Sequence, residues 1–196
     1  MRQSLVVMAK APVAGAVKSR LAARIGVVEA TRFYRTNLAR IVRRLGTDPR
    51  WRLYLAVAPD TVRDSAMLPP GAKRMAQGAG DLGARMQRVC DHIAPGPVVI
   101  IGSDIPRIDA DLVAEAFRSL GSRDAVFGPA EDGGYWLVGL RRRPRVPRLF
   151  DNVRWSSPKA LADTLANGAG LSVGFLPTLE DVDEVESWRR WRRAQG

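Results

Sequence analysis

The apolar residues of this 196-residue chain change their spacing again and again, and that alternation limits the possible folds more than any single motif does. Leu5 to Met8, Trp51 to Ala58, Val98 to Ile101, Asp124 to Phe127, Tyr135 to Leu140 and Leu171 to Leu176 are short runs rich in strand formers. Between them the spacing lengthens to three and four. Tyr34, Leu38, Ile41, Val42 and Leu45 lead to a stop at Gly46; Leu82, Met86, Val89, Cys90 and Ile93 follow a cap at Asp81; Leu112, Val113, Ala116, Phe117 and Leu120 run from a cap at Asp109 to Gly121. Ser157-Pro158 has the cap-then-proline order of a helix start, and a last helix carries Trp188 and Trp191. Strands that alternate with helices pair in parallel through right-handed crossovers, so the pattern predicts a three-layer α/β domain with a mostly parallel central sheet. Gly133-Gly134 between two strands implies a tight turn and hence one antiparallel strand.

A length of 196 residues with 46% hydrophobic and 26% charged side chains fits one domain over residues 1–196. No run approaches the roughly 18 apolar residues of a membrane span, and Met1 to Met8 reads as a first strand rather than a signal peptide, which places the chain in the cytoplasm. Cys90 is the only cysteine, so an intrachain disulfide and a thiolate metal cluster are both excluded, and it is read as core. Lys and Arg number 31 against 20 Asp and Glu, and a net charge of +11 favours anionic partners. The arginines gather on the helix with Arg32, Arg35, Arg40, Arg43 and Arg44, in Arg141-Arg142-Arg143-Pro144-Arg145, and in Arg189-Arg190-Trp191-Arg192-Arg193. These clusters are read as solvated surface; a non-catalytic nucleic-acid-binding or scaffold protein is the competing class.

Two segments carry the chemistry. Gly102-Ser103-Asp104-Ile105-Pro106 follows one apolar strand, and Gly128-Pro129-Ala130-Glu131-Asp132-Gly133-Gly134 follows another. Open α/β sheets bind ligands outside the carboxyl ends of their strands. A carboxylate at Asp104 suits a hard cation such as Mg²⁺ or Mn²⁺, which takes oxygen ligands and keeps substrate phosphates in its shell. The second carboxylate is assigned to Asp183, with Asp181 in reserve; Asp183 reads equally as the cap of the last helix. After the first strand, Lys10, Lys18 and Arg20 surround a sharp turn at Pro12 and Gly15, an arrangement suited to phosphate. Gln77-Gly78 and Asp81 offer an amide and glycine backbone to a planar base, or a plain turn with a helix cap. His92 has no partner spacing and is given no role.

Lys10 to Leu21, Gly80 to Met86, Ile101 to Pro106, Gly128 to Trp136 and Asp181-Val182-Asp183 together resemble one family. It is the small bacterial glycosyltransferase-like group of the GT-A, or nucleotide-diphospho-sugar transferase, superfamily, often linked with arsenosugar biosynthesis. The likeness runs in order from about Leu5 to Asp183. Lys18-Ser19-Arg20-Leu21 and Gln77-Gly78 are also similar to the 2-phospholactate guanylyltransferases. The resemblance implies a GT-A sheet with the nucleotide over its first half, the acceptor over its second, and a divalent metal at Asp104. Gly102-Ser103-Asp104 stands where many relatives of the superfamily carry Asp-x-Asp, so one of the usual acidic pair is replaced and Asp183 is needed to complete the site.

Two reactions follow from this reading. In glycosyl transfer from a nucleotide sugar, Lys18 or Arg20 stabilises the departing diphosphate, while Glu131 or Asp132 deprotonates the acceptor hydroxyl. In nucleotidyl transfer, an acceptor phosphate attacks an NTP held by Lys10, Lys18 and Arg20. Glu131, Asp132, Gly133, Gly134 and Trp155 are expected to bind the acceptor, Trp155 being equally a packing residue.

Overall fold

The computed structural model describes residues 2–142 and 145–194. Arg143 and Pro144, of the Arg141–Arg145 cluster, lie outside the described residues. The strands are β1 (Gln3–Lys10), β2 (Trp51–Ala58), β3 (Lys73–Ala76), β4 (Val98–Ile101), β5 (Ala125–Pro129), β6 (Tyr135–Leu140) and β7 (Val173–Phe175). The helices are α1 (Ser19–Ile25), α2 (Val27–Gly46), α3 (Leu82–His92), α4 (Ala110–Ser119), α5 (Ala160–Asn167) and α6 (Val185–Arg193). All strands join one seven-stranded sheet in the order β3-β2-β1-β4-β6-β5-β7. Only β6 runs against its neighbours, pairing antiparallel with both β4 and β5. This is the α/β sheet with one antiparallel strand that the sequence predicts.

Alternate residues of each strand face opposite layers. Leu5, Val7 and Ala9 of β1 pack with Leu38, Ile41 and Leu45 of α2 and with Val113 and Phe117 of α4. Val6 and Met8 turn to the other face, against Met86, Val89 and Cys90 of α3 and the side chains of Leu149 and Phe150. A smaller cluster of Leu21, Ala30, Phe33, Val182, Val185 and Trp188 fastens α1 and α6 onto α2. Each such fully buried aliphatic or aromatic side chain contributes roughly 1.5–3 kcal/mol, so the two sheet faces carry most of the fold's stabilisation.

The helix starts obey local chemistry. Asp81 accepts a hydrogen bond from Ala84 N, and Asp109 accepts from Asp111 N and Leu112 N. Other boundaries differ from expectation for identifiable reasons. Gly46 belongs to α2 rather than ending it; a Cβ there would lie 3.0 Å from Gly71 O, so the glycine serves a close packing contact. The Ser157-Pro158 pair precedes α5 by a turn, because the Ser157 hydroxyl donates to Arg154 O and accepts from Lys159 N. The strand expected over 171–176 shortens to Val173–Phe175, since Ser172 is engaged at N and Oγ by the Asp124 carboxylate. Arg142 is not solvated surface: its guanidinium donates to the carbonyls of Cys90, Ile93, Ala94 and Gly96 and closes the carboxyl end of α3. Among the described residues no helix is long and apolar enough to cross a membrane.

Candidate functional site

The chain runs from β1 outward to β2 and β3, then returns to place β4 on the other side of β1. The strand order therefore reverses between β1 and β4. At such a switch point the two loops leaving the carboxyl ends diverge and open a crevice. Lys10 is the last residue of β1, the loop after it carries Gly15 and Lys18, and Arg20 follows in the first turn of α1; the loop after β4 carries Asp104.

Lys18 is the centre of the cluster. Its backbone is left-handed, φ 52°, at a cost of roughly 1 kcal/mol for a residue with a Cβ, and its side chain is only 3% exposed. The ammonium forms an ion pair with Asp104 Oδ1 at 2.9 Å and a hydrogen-bonded ion pair with Asp183 Oδ1 at 3.2 Å. Arg20 Nη1 lies 3.5 Å from Asp183 Oδ2. Asp104 and Asp183 are joined through the backbone as well, because Val182 N donates to Asp104 O. Lys18 thus reaches a partner 165 positions away in sequence and joins it to Asp104 through one ammonium.

The two aspartates keep 47% and 37% of their side-chain surface exposed, so both carboxylates are accessible from solvent at this edge of the sheet. Among the described residues no third His, Cys, Asp or Glu joins them as a ligating group. Two carboxylates with open surface are the donor set expected for Mg²⁺ or Mn²⁺, whose remaining positions go to water and phosphate. Ser103 does not stand in for the missing acid: it is buried, with Oγ on the Tyr34 hydroxyl and its carbonyl on Asn37 Nδ2. A Cβ at Gly102 would meet nothing within 4 Å.

The second half of the edge is built by β5 and β7. Their pairing continues past the strands, with Leu179 N donating to Pro129 O and Ala130 bridging Leu179. This sets Glu131 and Asp132 beside Glu180 and Asp181. Asp132 Oδ1 accepts from Gly134 N at 2.9 Å, which orients its carboxylate. Gly133 has φ 83°, and a Cβ there would lie 2.5 Å from Pro158 O, so only glycine lets this loop rest on the start of α5. Burial holds the Asp181 carboxyl above its ordinary pKa; the charges of Asp132 and Asp183 act in the same direction and Lys18 opposes them. Trp155 is half-buried against Tyr135, with ring centroids 6.3 Å apart, so packing accounts for much of its surface.

Gln77 departs from expectation. It is 4% exposed, and its amide donates to Ala9 O and Ala56 O, so its donors brace β1 and β2 and are not free to read a base. The neighbouring backbone is also committed: Asp60 Oδ1 accepts from Gln77 N and Gly78 N, while Arg88 Nη1 donates to Gln77 O. One carboxylate oxygen of Asp81 is taken by its cap. Tyr34, Asn37 and Asp60 are the residues that sequence reasoning missed. Their one sequence signal is Asn37, a polar residue inside the apolar stripe of α2. His92 sits exposed at the end of α3 with Nδ1 against Arg88 O.

Residues 41–157 match the family DUF2064, described as an uncharacterized protein conserved in bacteria. The chain belongs to this family. Among solved structures it is similar to a protein of Desulfovibrio desulfuricans G20 provisionally assigned as a nucleotide-diphospho-sugar transferase, at 32% identity and TM-score 0.88, over 100% of this chain and 88% of that one. More distant likenesses show the fold alone. CMP:2-keto-3-deoxy-manno-octonic acid synthetase complexed with CTP matches at 11% identity and TM-score 0.63, over 100% and 98% of the two chains. The Mycobacterium tuberculosis H37Rv protein Rv0371c in complex with manganese matches at 18% identity and TM-score 0.57, over 97% of each chain. Comparison with curated proteins gives no match. This DUF2064 chain has the nucleotide-diphospho-sugar transferase fold.

Proposed function

We propose that this DUF2064 protein is a transferase that takes a nucleotide cosubstrate in the crevice between β1 and β4 and passes a glycosyl group from a nucleotide-diphosphate sugar to a small acceptor. The observation that carries this reading is the Lys18 ammonium set between Asp104 and Asp183, with Arg20 beside them, where the strand order reverses. Lys10, Lys18 and Arg20, arranged around the turn at Gly15, bind the diphosphate and offset the charge that develops on it as it departs. Gly78 and Asp81 frame the nucleotide from the mouth of α3. Asp104 and Asp183 hold Mg²⁺ or Mn²⁺, which when bound neutralises phosphate charge and stabilises the leaving group. Asp132, oriented by Gly134 N, takes the proton of the acceptor hydroxyl, with Glu131 next to it in the same loop. Gly133, Gly134 and Trp155 form the wall behind the acceptor.

Charge distribution favours glycosyl over nucleotidyl transfer. Cations line the β1 loop, whereas the β5 and β7 loops present Glu131, Asp132, Glu180 and Asp181, and Arg190 among them is bonded to Glu180. A phosphorylated acceptor would face carboxylates there; a neutral hydroxyl compound would not. Nucleotidyl transfer is the second reading, supported by the three cations of the first loop, which suit a triphosphate, and by the fold shared with the CTP-bound synthetase.

Thermal unfolding with Mg²⁺ or Mn²⁺ and a panel of nucleotide sugars and nucleoside triphosphates separates the readings. A nucleotide sugar at one hundred times its Kd is expected to raise Tm by roughly 5–10 °C. Triphosphates alone shifting Tm would select nucleotidyl transfer. Salt-sensitive binding to any duplex, with no response to nucleotides, would replace both by the nucleic-acid reading. Asp104→Asn is expected to abolish turnover while the fold remains intact.

A further inference from the structure

We propose that Tyr34 is a positioning residue of this site: its hydroxyl ties the loop after β1 to the loop after β4 and so fixes the spacing of Lys18 and Asp104 on which anion binding depends. The inference rests on the phosphate-binding reading above. Tyr34 lies on α2 beneath both loops and is 3% exposed. Its hydroxyl accepts from Lys10 N at 2.9 Å, donates to Lys10 O at 2.9 Å, and lies 3.2 Å from Ser103 Oγ. A phenol has one proton and two lone pairs. With the proton on Lys10 O, the lone pairs take Lys10 N–H and the Ser103 hydroxyl proton, and every position is used.

Asn37, one turn further along α2, repeats the contact by donating to Ser103 O at 2.8 Å. Two polar side chains on the apolar face of one helix therefore grip the residue that opens the phosphate loop and the residue before Asp104. Packing alone does not call for them, since a phenylalanine ring fills the same space as tyrosine. Asn37 Oδ1 is moreover buried with no hydrogen-bond partner, a cost to folding that a leucine would avoid. Burial pushes the Tyr34 phenol up to about 12, so its proton stays in place across the physiological range.

The test compares Tyr34→Phe with wild type and with Tyr135→Phe, which removes another buried hydroxyl, one that bonds Thr164 on α5. Amide hydrogen exchange is followed over residues 10–20 and 102–107 without ligand, and inorganic pyrophosphate binding in Mg²⁺ is measured by calorimetry. Tyr34→Phe is expected to speed exchange in both segments together by about tenfold and to weaken pyrophosphate at least about tenfold, with Tyr135→Phe leaving both unchanged. Ser103→Ala cuts the same link from the other side and replaces Tyr34→Phe should that variant not fold. Wild-type exchange in the two segments, or equal losses in Tyr135→Phe, overturns the proposal. Failure of the wild type to bind pyrophosphate would instead remove the phosphate reading, and exchange alone would then decide whether Tyr34 couples the loops.

Discussion

Replacing Lys18 by Met is the most informative perturbation, because it acts on stability and on cation affinity in opposite directions. The ammonium lies 2.9 Å from Asp104 and 3.2 Å from Asp183. Unit charges about 3 Å apart attract by roughly 1.4 kcal/mol in water and roughly 2.8 kcal/mol at an effective dielectric near 40. Both aspartates are more than a third exposed, so screening reduces these values, and Met also escapes the cost of burying an ammonium. A net loss of about 1–2 kcal/mol remains, corresponding to a fall in Tm of roughly 2–8 °C. The two carboxylates left behind become a better site for a dication. Repulsion between a divalent ion and an ammonium about 4 Å away is roughly 2 kcal/mol even in water, so Lys18→Met should bind Mn²⁺ at least about tenfold more tightly than wild type. Pyrophosphate affinity should fall in the same variant, since the anion has lost its buried cation. Mn²⁺ titration followed by electron paramagnetic resonance at low salt reads the first effect and calorimetry the second. Mn²⁺ affinity that is unchanged or weaker in Lys18→Met would show that Asp104 and Asp183 do not form a cation site.

Arg142→Gln removes a guanidinium bonded to four carbonyls at the end of α3, and should lower stability by about 2–3 kcal/mol in urea unfolding without altering the nucleotide response. The Arg154 guanidinium holds the Asp163 carboxyl down at about 2 from an ordinary 3.8. A carboxyl depressed in the folded state adds stability above its unfolded pKa and loses it as pH falls through the folded one, so the Asp163→Asn variant should lose its stability deficit relative to wild type between about pH 4 and pH 2 in acid-unfolding curves. Gly133→Ala forces a Cβ to within 2.5 Å of Pro158 O on a left-handed backbone and should displace the Glu131–Gly134 loop, read as lost acceptor turnover with nucleotide binding retained.

Features governed by neighbours in sequence were legible, and those governed by distant carbonyls were not. The bounds of β2, β4 and β6 match the apolar runs residue for residue, and Asp81 and Asp109 cap the helices they precede. Both signals arise within a few residues, from side-chain alternation and from an acidic oxygen reaching back to free N–H groups. Gln77, offered by its sequence either to a base or to a plain turn, and Arg142, expected on a solvated surface, depart from expectation for the same reason. Glycines beside Gln77 and arginines beside Arg142 point to exposed chain, yet their donors are claimed by Ala9 and Ala56 in one case and by the end of α3 in the other. Those acceptors are assembled by the sheet order, which periodicity does not encode.

The site shows the same division at closer range. Asp104 could be singled out because a carboxylate just past a strand, between glycine and proline, sits where such sheets bind ligands; Asp183 reads equally as a helix cap, and only the structure separates the two by giving that role to Glu184. Tyr34 was assigned only to the apolar stripe of α2, and its ring does belong there. Its hydroxyl has a second task that becomes visible only when β4 returns to the far side of β1 and brings Ser103 within 3.2 Å. In an α/β sheet the loops that hold ligand leave different strands and share no hydrogen-bond ladder beyond the sheet edge. Something must set their separation, and here a helix does so with one phenol and one amide. Buried polar groups at i and i+3 on an otherwise apolar helix face, beneath the switch point of such a sheet, are therefore the sequence mark to seek for this kind of support.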